Sequence, residues 1–131
     1  MKNNAYIVSS VRTAVGKAPR GSLRHLRPDD MGAIAIQGLL AQVPELPVDQ
    51  IDDVIMGCAF PEAEQGFNLG RIMAMRAGLP DRVAGCTVNR FCASGLQAIA
   101  MASQAIQTGM AEVILAGGAE SMSLIPMGGH L

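Results

Sequence analysis

Apolar positions along this chain follow two alternating rhythms, short continuous runs and longer stretches spaced three and four apart, and that alternation is the first structural signal. Ala5 to Ser9 is apolar and β-branched and reads as a buried strand, followed by a long basic, glycine-containing loop from Val11 to Pro28. Asp29 or Asp30 is placed to cap a helix through MGAIAIQGLLAQV, whose apolar residues Met31, Ile34, Ala35, Leu39 and Val43 share one face, and Pro44 and Pro47 end it. Asp53–Gly57 predicts a second strand, and CAFPEAEQGF after it a loop carrying two carboxylates. Asn68 caps a helix through LGRIMAMRAG that stops at Gly78, with Pro80 just behind.

The alternation then repeats. Gly85 to Asn89 predicts a strand, Cys92 to about Gly109 a long helix, and Glu112 to Gly117 the next strand. Within the long helix Leu96, Ile99, Ala100, Ser103, Ile106 and Met110 fall on one face, the expected packing surface. Strands alternating with helices imply parallel pairing with right-handed crossovers, hence a layered α/β fold with a mostly parallel sheet and packed helices. No repeat, linker or low-complexity segment interrupts it. The closing stretch GGAESMSLIPMGGHL is glycine-rich and leaves the last strand without a following helix, so the pattern expects a larger fold.

Composition narrows the classes of function. Of the 131 residues, 50% are hydrophobic and only 16% charged, so so short a chain is expected to bury apolar surface against another chain or further sequence. A net charge of −1 supplies no field to draw in nucleic acid or an anionic membrane, and neither is expected as a partner. Lys2, Arg12, Lys17, Arg20, Arg24 and Arg27 cluster early without interleaved aromatic residues after Tyr6, which favours a solvated loop or an ion-pair network over a phosphate clamp. The N-terminal MKNNAYIVSSVRT has an apolar run too short for a signal peptide or a membrane span, and a cytoplasmic location is expected.

Three cysteines, Cys58, Cys86 and Cys92, are an odd number without repeated spacing, so reduced thiols are expected rather than a disulfide framework. No CxxC or HxxxH pairing supports a metal, and no GxGxxG or GxxxxGK supports a nucleotide. Cys92 is the candidate nucleophile. It follows a strand, precedes a helix and is flanked by Asn89, Arg90, Ser94 and Gly95, and the free N–H groups at a helix start favour a thiolate and can hold an oxyanion. Cys86, inside a strand, and Cys58, just after one, read as buried and inert. The strand–nucleophile–helix order is analogous to the GxSxG elbow, but the glycines differ and no acid and histidine follow. His25 and His130 read as exposed loop residues, Glu62 and Glu64 as solvated, and Glu120, after two glycines at a strand end, is open to either reading.

With these residues in place, VNRFCASGLQA around Cys92 resembles the nucleophile segment of the thiolases, and AGGAESMS from Ala116 to Ser123 their second N-terminal signature. IVSSVRTAVGK, DVIMGCAF and NLGRIMAMRAGLP agree in order and spacing, so the resemblance covers essentially the whole chain, residues 1–131, as an incomplete N-terminal domain. The resemblance implies an acyltransferase. Cys92 would attack a 3-ketoacyl-CoA, form an acyl-cysteine and release acetyl-CoA, and free coenzyme A would then take the acyl group, with the Cys92 backbone N–H in an oxyanion hole.

Coenzyme A is then a substrate, and no cofactor is expected to be bound. The family fold is two similar α/β halves stacked in five layers and assembled as a homodimer or homotetramer. Its loop domain, asparagine motif, activating histidine and second cysteine have no counterpart in these residues, so the chain alone is expected to lack turnover. Phe91 and Gln97 resemble the degradative, broader-chain members of fatty acid metabolism and beta-oxidation. Two other readings stay open: a ketoacyl-synthase-type condensing enzyme, and a non-catalytic dimerising module.

Overall fold

A computed structural model of the protein describes residues 3–130. Three helices and three strands alternate along it: α1 (Pro28–Ala41), β1 (Asp53–Gly57), α2 (Leu69–Arg76), β2 (Ala84–Val88), α3 (Ser94–Gln107) and β3 (Ile114–Gly118), with single 3₁₀ turns at Val48–Gln50 and Ala63–Gln65. The strands form one parallel sheet in the order β2-β1-β3. This is the layered α/β arrangement that the alternation of elements implies.

The central strand explains the layering. DVIMG is buried on both faces, as a strand covered by helices on each side must be. Val54 and Met56 join the larger core, with Ile36 of α1 and Leu69 and Met73 of α2, whereas Ile55 points the other way onto Ala98 and Ala102 of α3. Thus α2 lies on one face of the sheet with α1 packed against it, and α3 covers the other, with β1 between them.

Helix ends follow local chemistry, with one correction. Asn68 caps α2 as expected, its side-chain oxygen accepting the Arg71 N–H, and Gly78 closes the far end at φ +85°. At α1, neither Asp29 nor Asp30 is the cap. Arg27 holds that position without a side-chain cap bond, Pro28 opens the helix with its fixed φ, and the two aspartates occupy the first turn, where the positive helix end favours them. Asp29 accepts both guanidinium bonds of Arg27 at 3.0 Å, and Asp30 pairs with Arg76 of α2. Of the early basic residues, Arg27 therefore belongs to an ion-pair network.

The packing faces of α1 and α3 are each rotated from the expected ones. On α3 the buried residues are Ser94, Ala98 and Ala102, while Leu96 is 71% exposed and Met110, three residues past the helix end, 84%. On α1 they include Gly32, Ala33 and Ile36, and Ile34 is exposed. Both helices approach their neighbours on small residues. Gly32 gives Met73 of α2 the space a β-carbon would fill, and Gly57 does the same for the start of α3. Close approach through glycine and alanine outweighs the pull of the larger apolar side chains.

Ala5–Ser9 is not a strand. Tyr6, Ile7 and Val8 are 76%, 80% and 82% exposed, and among the described residues no backbone hydrogen bond ties the segment to the sheet. A β-branched run becomes a strand only when a partner ladder satisfies its N–H and C=O groups. Here the segment borders a largely apolar hollow of about 1090 Å³, which also reaches β3, Leu39 of α1 and Ile106 of α3, and Ser9 Oγ donates to Gln42 Oε1 at 2.6 Å. The apolar residues of α3 left off the sheet, Ile99 and Ile106, face this hollow.

Candidate functional site

The register aligns the carboxyl ends of all three strands, with Gly57 opposite both Val88 and Gly118. The loops leaving β1, β2 and β3 therefore start from one rim, the usual place for chemistry in a parallel sheet. Cys92 lies on that rim, in the turn between β2 and α3. The helix starts two residues later than expected, at Ser94 with Ala93 as its cap position, so Cys92 precedes the helix rather than opening it.

Local hydrogen bonds fix this turn. Asn89 Oδ1 accepts the Phe91 N–H at 2.8 Å, and the buried Ser94 hydroxyl accepts the Arg90 N–H at 2.9 Å and donates to the Phe91 carbonyl at 2.6 Å. Ala93 N–H to the Arg90 carbonyl and Ser94 N–H to the Phe91 carbonyl, both 3.1 Å, complete the coil. Phe91 stands at φ +50°, a left-handed conformation unusual for an aromatic residue and of the kind that collects at functional sites. The result is a Cys92 side chain exposed to solvent, with a backbone N–H that donates to no group among the described residues.

The other two thiols differ in kind. Cys58 is buried, and that burial together with the neighbouring Glu120 carboxylate pushes its thiol up to about 12. Cys86 is half-buried, and desolvation followed by the charge of Asp53 raises it as well. Both keep their protons at neutral pH, which suits the inert role read from the sequence.

The loops from β1 and β3 meet beside the turn. Glu120 Oε2 accepts the Ala59 N–H at 2.7 Å, and Glu120 Oε1 accepts from Gln65 Nε2 at 2.6 Å and from the Cys58 S–H at 3.8 Å. Gln65 is fully buried. Its Nε2 also donates to the Phe60 carbonyl at 2.9 Å, and its Oε1 accepts the Ser121 N–H. Asn89 joins this cluster to the turn by donating from Nδ2 to the Ala59 carbonyl at 3.0 Å.

Thus Asn89 and Ser94, two of the polar neighbours noted around Cys92, are the ones that shape its turn. Glu120 has a structural partner set, and Gln65 was not singled out by the sequence. Its only signal there was a third polar residue closely following two carboxylates, Glu62 and Glu64. Glu64 departs from the solvated reading, with Oε2 inaccessible to water, while His25 and His130 are exposed as expected. Among the described residues no cluster of three histidine, cysteine, aspartate or glutamate side chains is placed to hold a metal ion, and no helix is long and apolar enough to cross a membrane.

Comparison with known proteins adds a separate line of observation. Residues 5–130 match the family described as thiolase, N-terminal domain. The chain is 53% identical over 127 residues to a 3-ketoacyl-CoA thiolase of Bacillus subtilis (strain 168), covering 97% of this chain and 32% of that protein. It is 50% identical over 123 residues to a beta-ketoadipyl-CoA thiolase of Acinetobacter baylyi, covering 94% of this chain and 30% of that one. A 3-ketoacyl-CoA thiolase of Idiomarina loihiensis is 42% identical over 121 residues, with 92% and 31% covered. The chain spans about a third of the length of these curated relatives.

Proposed function

Because the chain belongs to the thiolase family, we propose that it provides the nucleophile of a thiolase-type acyltransferase acting on 3-ketoacyl-CoA, with Cys92 as the attacking sulfur. The observation that carries this reading is the exposed Cys92 on a hydrogen-bonded turn at the strand ends, with its own N–H unengaged. The Cys92 thiolate adds to the 3-keto carbon, and the resulting oxyanion accepts the Cys92 N–H. When the carbonyl re-forms, the bond between carbons 2 and 3 breaks. Its electron pair leaves on the acetyl-CoA fragment as an enolate, which takes a proton. Coenzyme A thiolate then attacks the acyl-cysteine, expelling the Cys92 sulfur and yielding the shortened acyl-CoA. Covalent capture divides one carbon–carbon cleavage into two acyl transfers.

The reading includes coenzyme A as a substrate rather than a bound cofactor, and a homodimer or homotetramer as the working assembly. It also includes a division of labour. Among the described residues the Cys92 turn bonds to no acid or base, and in this reading the 131-residue segment alone does not turn over acetoacetyl-CoA, whereas the enzyme of full family length does.

The test is covalent trapping. An enzyme of family length carrying this segment is incubated with an acyl-CoA, and peptide mass analysis should find the acyl group on Cys92, with Cys92→Ser abolishing both the adduct and thiolysis. Acylation elsewhere, or full thiolysis by Cys92→Ser, would refute the assignment. Normal thiolysis by the isolated segment would refute the division of labour.

A further inference from the structure

One carboxylate at the rim has no part in the acyl transfer, yet it joins all three loops. Glu120 leaves β3, receives the Ala59 N–H from the loop after β1, and is held by the buried Gln65 amide, while Asn89 donates to the carbonyl of the same residue, Ala59, and so ties it to the loop after β2. The Gln65 amide has only one workable orientation. Its Nε2 is committed to Glu120 and the Phe60 carbonyl, and its Oε1 to the Ser121 N–H. Glu120 must accordingly accept on both oxygens, a requirement that a carboxylate meets and an amide of the same size does not.

We infer that Glu120, oriented by Gln65, is a positioning residue for Cys92. It fixes the loop of residues 58–66 on the rim, and the Ala59 carbonyl in turn fixes Asn89, whose other atom holds the Phe91 N–H one residue before the sulfur. The path from Glu120 to Cys92 runs through the backbone of one residue, Ala59, and one side chain, Asn89. It rests on the reading of Cys92 as the reacting sulfur and adds the groups that aim it.

The experiment measures second-order iodoacetamide rates at Cys92 and at Cys86 in the folded 131-residue chain, by peptide mass analysis. Glu120→Gln turns one acceptor into a donor at constant size. Asn89→Ala cuts the same path at an exposed side chain. Each single variant should slow Cys92 about threefold or more while leaving Cys86 unchanged, the size of effect expected within one hydrogen-bond network.

Glu120→Asp keeps two acceptor oxygens on a shorter stem and should retain more of the Cys92 rate than Glu120→Gln. A Cys92 rate unchanged in Asn89→Ala overturns the proposal, as does a parallel rise at Cys92 and Cys86, which marks general loosening. A Cys92 rate in folded Glu120→Asp no higher than in Glu120→Gln also overturns it. Alkylation needs no coenzyme A, so these outcomes stand apart from the acylation test of the reaction itself.

Discussion

Gly57, at the end of β1, and Ser94, at the start of α3, lie so close that a β-carbon on Gly57 would fall 2.5 Å from the Ser94 carbonyl carbon and 2.7 Å from the Gly95 nitrogen. The end of the central strand and the start of α3 can meet only because position 57 has no side chain. Gly57→Ala should push the helix start away and destabilise the domain by about 1–3 kcal/mol, the usual cost of overpacking. Urea unfolding reads the loss, and an unchanged midpoint would mean that the helix start yields without cost.

The Ser94 hydroxyl closes the same junction from the other side. Ser94→Ala removes the acceptor of the Arg90 N–H and the donor to the Phe91 carbonyl in a buried position, and should cost about 1–3 kcal/mol. Ser94→Thr keeps the hydroxyl and should recover part of that stability. Denaturant midpoints of the two variants measured side by side check the order.

Cys58 makes stability fall at alkaline pH. Its folded thiol is pushed from about 9 to about 12, chiefly by burial, so above pH 9 the unfolded chain releases a proton that the folded chain retains. The stabilisation is complete below pH 9 and fades as pH rises towards 12, at about 1.4 kcal/mol per pH unit for this one group. Cys58→Ala should flatten that slope, as read from denaturant unfolding at a series of pH values.

At the acid end, Asp29 and Asp52 act in the opposite sense. Burial works to raise the Asp29 carboxyl, but the Arg27 hydrogen bonds and charge outweigh it and hold the group below its ordinary range. The backbone N–H groups of Glu112 and Val113 lower Asp52. Both contribute stability above about pH 4 that is lost as pH falls through their depressed folded values. Asp52→Asn should therefore be less stable than the parent at pH 7 and approach it below pH 4, an ordering that acid titration followed by circular dichroism would test.

What the sequence made legible were features set by near neighbours. DVIMG as a strand, Asn68 as a cap, Gly78 as a stop and Cys92 on a strand-to-helix turn each depend on residues within a few positions. The helix faces did not follow from hydrophobic size, because α1 and α3 rest on Gly32, Ala33, Ala98 and Ala102, whose worth depends on what stands opposite. Ala5–Ser9 has strand propensity but no partner ladder. The cluster of Gln65 and Glu120 joins residues 55 apart in the chain, and no local pattern announces such a meeting.

Because the three parallel strands end level with one another, the domain has a second rim with a different fate. Loops on that far side carry the exposed Arg82, two residues before β2, and Met110, 84% exposed and four residues before β3. A fluorophore or an affinity handle attached there would sit at the opposite pole from Cys92. The domain can thus be tethered to a surface by its back, leaving the sulfur facing the solution for single-molecule or sensor measurements.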